Sequence, residues 1–206
     1  MKFGDFGEDY LGELAVYAEQ HALLDALFHS EYGFQTLNRY TEFLQSHVEE
    51  YAFDMPEGAS LLAPSFPFAL AEGLLYMVFS RLEESLIKFC EASRTTFETP
   101  PYYDPYEGRN IRKSITYLTD TVGLTDLKSS HNKRLIFAWK TVGNCYIHNF
   151  WKVRSDFDRK SVRLVGLNLQ DDDITLSVSD VTRCADVAYE FVHGVFDRLA
   201  GKAGLV

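Results

Sequence analysis

Apolar residues recur at near-helical spacing along most of the chain, and the breaks between these stretches set out its elements. From Asp9 to Phe28 they fall at Leu11, Leu14, Ala15, Tyr17, Ala18, Ala22, Leu24 and Leu27, the face of an amphipathic helix that Gly33 is placed to stop. Residues 34 to 53 carry a second stripe, Leu37, Tyr40, Phe43, Leu44, Val48 and Tyr51, closed by the turn sequence Met55-Pro56-Glu57-Gly58. Together they predict an acidic N-terminal helical hairpin over residues 1–64, packed on the rest of the chain.

The segment 65 to 92 opens with Ser65 and has Pro67 near its first turn, where a missing amide proton costs nothing. Leu74, Leu75, Val78, Phe79, Leu82, Leu86 and Phe89 cover a wide face, so a central helix is expected. Residues 93 to 107, with Pro100, Pro101, Pro105 and three tyrosines, predict a loop. A short helix from Arg109 to Val122 follows, ended by Gly123.

Residues 130 to 151 are apolar nearly all round, at Leu135, Ile136, Ala138, Trp139, Val142, Cys145, Tyr146 and Ile147. That pattern predicts burial against several neighbours or against a second subunit. Val162 to Leu169 and Ile174 to Val178 alternate loosely around Asp171-Asp172-Asp173, as in a small β-hairpin. Ser179 or Asp180 is then expected to cap a last helix with Val181, Cys184, Val187, Ala188, Phe191, Val192, Val195 and Leu199 inward. The fold class expected is mostly α, an antiparallel helical bundle, with residues 65–206 as its main domain.

Composition supports a globular chain. With 206 residues, 46% of them hydrophobic, it can bury a core without staples. Cys90, Cys145 and Cys184 lie far apart, without the paired spacing of a zinc site or redox dithiol, and read as buried small hydrophobes in a reducing compartment. No basic flank and apolar run follow Met1, and the longest apolar stretch, Phe66 to Ser80, is interrupted by Glu72 and too short to span a bilayer. A cytoplasmic location without membrane contact is the expectation.

Charge complicates the picture. The net charge of −10 argues globally against a dedicated nucleic-acid surface. Between Arg109 and Arg163, however, twelve Lys or Arg stand against four Asp, a local excess of +8 that leaves −18 for the remainder, ten of it in the first 65 residues. Two readings stay open: a basic face suited to phosphate, or solvated charges on unrelated faces.

Most familiar chemistries are excluded. His21, His29, His47, His131 and His193 form no metal-ligand pattern, and there is no Gly-rich phosphate loop, nucleophile elbow or paired-carboxylate signature. No metal or cofactor is expected. Tyr102, Tyr103 and Tyr106 beside Arg109, Arg112 and Lys113 either stack bases or pack the proline-rich loop on its own domain.

One run carries a recognisable chemistry. Gly143-Asn144-Cys145-Tyr146-Ile147-His148-Asn149 resembles the signature of the HEPN superfamily, in which an arginine is followed by a polar residue, a few apolar residues and then His, often with Asn after it. Asn144, His148 and Asn149 match, and Gly143 stands where the arginine would be. The resemblance extends from about residue 66 to 200, through Tyr76 to Cys90, Ile115-Thr116-Tyr117-Leu118 with Gly123, Val165-Gly166, and Ile174-Thr175-Leu176 leading to a final helix. It leaves the N-terminal hairpin outside as an addition.

The resemblance implies a metal-independent RNA-cutting ancestry and a homodimer formed through the helix that carries the run. A histidine there would move the ribose hydroxyl or leaving-group proton, and an arginine would stabilise the phosphate charge in the transition state. At roughly 100° per residue, positions 144 and 148 lie about 40° apart on a helix, and 143 and 148 about 140° apart. Glycine supplies no charge, and losing one electrostatic stabiliser costs on the order of 100- to 1000-fold in rate. Lys140, one turn before Asn144, is the candidate substitute cation, with Lys152 a further phosphate-binding candidate on the same slowly turning stripe.

The function expected is that of a HEPN-like protein with a degenerate ribonuclease motif, binding RNA or a protein partner in a defence or regulatory role. An active endoribonuclease using His148 with a substitute cation, and a purely structural helical adaptor, are the alternatives.

Overall fold

The computed structural model describes residues 21–53, 66–100 and 110–205. Six α-helices and one short two-stranded ribbon account for these residues, so the fold is mostly α, in keeping with a helical bundle. The chain divides into two compact units, each discontinuous in sequence: one takes residues up to 35, 80 to 133 and 188 onward, the other 36 to 79 and 134 to 187.

Helix α1 (Ala22–Phe53) runs straight through the position where a turn was expected. Gly33 does not stop it, because a single glycine costs only about 1 kcal/mol inside a helix and the stripe around it buries Leu23, Ala26, Leu27, Phe34 and Leu37. That stripe also differs from the expected one. Thr41 is buried, with its hydroxyl donating to the Leu37 carbonyl at 2.9 Å, whereas Tyr40 and Phe43 are exposed. The helix start expected at Asp9 and the turn at Met55-Pro56-Glu57-Gly58 lie outside the described residues.

Helix α2 (Phe66–Phe97) is longer than its apolar pattern indicated, because nothing after Ala92 breaks it before Glu98 turns left-handed at φ 52° and Pro100 follows. The loop tyrosines beyond it lie outside the described residues. Helix α3 (Ile111–Thr116) starts at Asn110, whose side chain accepts from the Lys113 amide, and widens into a π-helical turn at Tyr117–Thr121. Gly123 ends it at φ +89°, a conformation that glycine adopts freely.

After a 3-10 turn (Thr125–Ser129) comes helix α4 (His131–His148), three residues shorter than expected at its C-terminal end. Helix α5 (Asp156–Leu164) takes the first three residues, Val162 to Leu164, of the strand expected over Val162 to Leu169. Its cause is local: the Ser155 hydroxyl accepts from the Asp158 amide while the Asp158 carboxylate accepts from the Ser155 amide, a reciprocal cap. The ribbon shrinks accordingly to β1 (Leu169–Gln170) and β2 (Asp173–Ile174), paired antiparallel. Asp171 and Asp172, with φ of 51° and 79°, form the two-residue loop in the conformation whose twist suits a tight hairpin.

Helix α6 (Val178–Ala203) closes the chain. Its cap is Ser177, ahead of both expected positions, Ser179 and Asp180: the Asp180 amide donates to the Ser177 hydroxyl at 3.2 Å, and the Ser177 amide donates to the Asp180 carboxylate at 2.9 Å. Burial pulls the Asp180 carboxyl upward, but the bonds from Ser177 and Arg183 outweigh it and hold it below the ordinary carboxylate range.

Candidate functional site

Helix α4 sorts its residues into two arcs. Ile136, Ala138, Trp139, Val142, Gly143, Cys145 and Tyr146 are buried, while Arg134, Asn144, Ile147 and His148 are exposed and Phe137, Lys140 and Thr141 fall between. The all-round burial expected from composition is therefore not reached within one chain. Asn144 and His148, one turn apart, share the open arc, and Lys140 lies one turn earlier at its edge.

Gly143 occupies the opposite side. A Cβ there would come within 3.3 Å of Phe79 Cε2 and 3.5 Å of Leu75 Cδ2, both on helix α2. The close approach of this neighbouring helix is what glycine permits. A side chain at 143 would point into the packing of its own unit, away from the arc that holds Asn144 and His148.

Beyond His148 the chain turns sharply. Phe150 and Trp151 are both left-handed, at φ 53° and 65°, a conformation costly for bulky residues. Backbone bonds hold it: the amides of Asn149 and Trp151 both donate to the Cys145 carbonyl, at 3.0 and 3.2 Å. The next residues join the ribbon, with the Val153 amide donating to the Asp172 carbonyl and the Ile174 amide to the Trp151 carbonyl, at 2.9 and 2.8 Å. Lys152 is thus not on the helical stripe. It sits opposite Asp173 in the ribbon, and its ammonium pairs with that carboxylate at 3.2 Å.

A cleft of about 340 Å³ opens beside this turn, lined by Trp151, Gln170, Asp171, Asp173, Ile174 and Thr175. Its aspartates differ from Asp172, which lies outside the lining and pairs with Arg159. Behind Trp151 stands Tyr146, its ring centroid 6.0 Å away. Among the described residues the buried Tyr146 hydroxyl meets no hydrogen-bond partner, and burial together with the Glu72 carboxylate pushes the phenol up to about 12. Burial, helped by Asp158, also raises the Cys145 thiol against an opposing hydrogen bond from Asn149.

One cluster escaped sequence reasoning. In the other unit Glu31 is almost fully buried, accepts from the Tyr189 hydroxyl at 3.1 Å and pairs with the His193 imidazole. The signal was present, because Glu31 stands four residues after Leu27 and three before Phe34, on the buried face of α1. His193, outside any metal-ligand pattern, gives no sign in the sequence of a carboxylate partner 162 residues away.

Among the described residues no group of three or more His, Cys, Asp or Glu side chains is placed to hold a metal ion, and no helix is long and apolar enough to cross a membrane. No family model, curated protein or solved structure matches the chain.

Proposed function

We infer that this chain is a HEPN-like protein that binds RNA through the open arc of helix α4 without cutting it efficiently. The observation that carries the reading is the packing of Gly143 against Phe79 and Leu75. The signature's arginine position is used to bring two helices together, so no guanidinium reaches His148 from there. Asn144 and His148 remain exposed, as a surface that meets a ligand requires.

The cations nearby bear on efficiency. Lys152 is engaged by Asp173, which leaves Lys140 as the candidate on the His148 arc. A lysine acts as a point charge without the bidentate fork of an arginine, so any cleavage it supports would be slow. Ile147 and Phe150, 44% and 75% exposed, flank the same arc and supply apolar area for pairing with a second copy of the chain.

The test is direct. Purified protein should retain single-stranded RNA in a mobility-shift or filter assay, with affinity falling as salt rises, and Asn144→Ala with His148→Ala should weaken retention. Sedimentation should give a dimer that Ile147→Glu dissociates. Absence of RNA retention at low salt would reject the reading and favour a helical adaptor.

A further inference from the structure

We propose that the cleft beside Trp151 is a nucleobase subsite, in which an unpaired guanine stacks on the indole while the Asp171 carboxylate accepts from its Watson–Crick edge. This rests on the RNA-binding reading and names what part of the RNA is recognised. Four features of the cleft support it.

The first is the platform. Trp151 is 47% exposed and lines the cleft, and its backbone is fixed by bonds on both sides, so only its two side-chain torsions are left to order on binding. Aromatic faces held in this way stack bases of single strands, each by about 1–3 kcal/mol, which is roughly 5- to 150-fold in affinity. The second is size: a cleft of about 340 Å³ lies at the lower end of the range for small planar ligands, roughly 300–1000 Å³.

The third is the choice of acceptors. Guanine presents two adjacent donors, its ring N–H and its amino group, which match the two oxygens of one carboxylate. Asp173 is already paired with Lys152, so Asp171 is the carboxylate of the cleft assigned this role. The fourth is charge. Lys152 is held by Asp173, but Arg154, three residues after Trp151, is exposed, a cation that a phosphate beside the stacked base would meet.

Intrinsic fluorescence offers the readout, because the chain has two tryptophans and Trp139 is buried. A short oligouridine with one central guanosine should quench Trp151, and the same RNA with a central adenosine should bind on the order of 10-fold more weakly. Asp171→Asn keeps the left-handed turn that Asp and Asn both tolerate and should abolish that preference, bringing the guanosine RNA down to the affinity of the adenosine one. Trp151→Phe, which keeps a ring against Tyr146, should weaken binding several-fold.

The outcomes separate the two claims. Retention of RNA with no quenching, and with Asp171→Asn indistinguishable from the parent, overturns the subsite and leaves the RNA-binding reading intact. Failure to bind any RNA removes both. Quenching by a short arginine peptide and not by RNA would assign the cleft to a cationic side chain and overturn the proposal.

Discussion

The space that a Cβ would fill at Gly143 lies 3.3 Å from Cε2 of Phe79. That separation is tighter than ordinary contact, and it sets what this position tolerates. Alanine would gain about 1 kcal/mol of helix propensity and lose a comparable amount by displacing the Phe79 ring, so Gly143→Ala should be near neutral in urea unfolding. Gly143→Arg would overfill the contact and bury a charge. It should lower stability by about 3 kcal/mol or more, seen as a lower midpoint at unchanged slope, and it should not create ribonuclease activity.

The Glu31 cluster makes a second expectation. A carboxylate this deeply buried is stable only while its partners remain. Removing Tyr189's hydroxyl (Tyr189→Phe) should cost about 1.5–3 kcal/mol, and His193→Ala, which takes away the imidazole partner, should cost about 3 kcal/mol. The double variant Glu31→Gln with His193→Ala should recover part of that loss in thermal unfolding, because no uncompensated charge is left.

These residues also show how far the sequence could be read. Long helices, the glycine stop at 123 and the acidic turn at 171–172 follow from apolar period and turn chemistry, which act within a few residues. Gly33 misled because its local cost is small against the burial of its neighbours, and that burial is set by partners distant in sequence. The helix at Asp156–Leu164 was signalled by Ser155 and Asp158, a pattern outweighed by the loose alternation that follows it. In the candidate site, the i, i+4 spacing placed Asn144 and His148 together, whereas the sharp turn that carries Lys152 off the helix depends on pairing with the ribbon.

The phenol of Tyr146, without a hydrogen-bond partner among the described residues, leads to an uncommon result. Burying a hydroxyl without a partner costs about 1–3 kcal/mol, so Tyr146→Phe should leave stability unchanged or raise it by about 1 kcal/mol. Chemical denaturation of the two proteins side by side measures this. A clear loss of stability would mean that the hydroxyl has a partner.

Phe150 is left-handed and 75% exposed, so its side chain contributes little burial while its backbone is strained. Glycine relieves that strain, worth about 1–2 kcal/mol, against an unfolded-state penalty of about 0.5–1 kcal/mol. At concentrations low enough to keep the chain monomeric, Phe150→Gly should therefore raise the melting temperature slightly, and Phe150→Ala should not.

The most direct measurement incubates end-labelled single-stranded RNA with purified protein and with its His148→Ala variant, then resolves the RNA before and after stripping the protein. RNA retained by the parent, released intact and held less tightly by the variant is the result this account predicts. RNA rapidly shortened by the parent and spared by His148→Ala would contradict it, since a full catalytic centre would then operate without an arginine at 143.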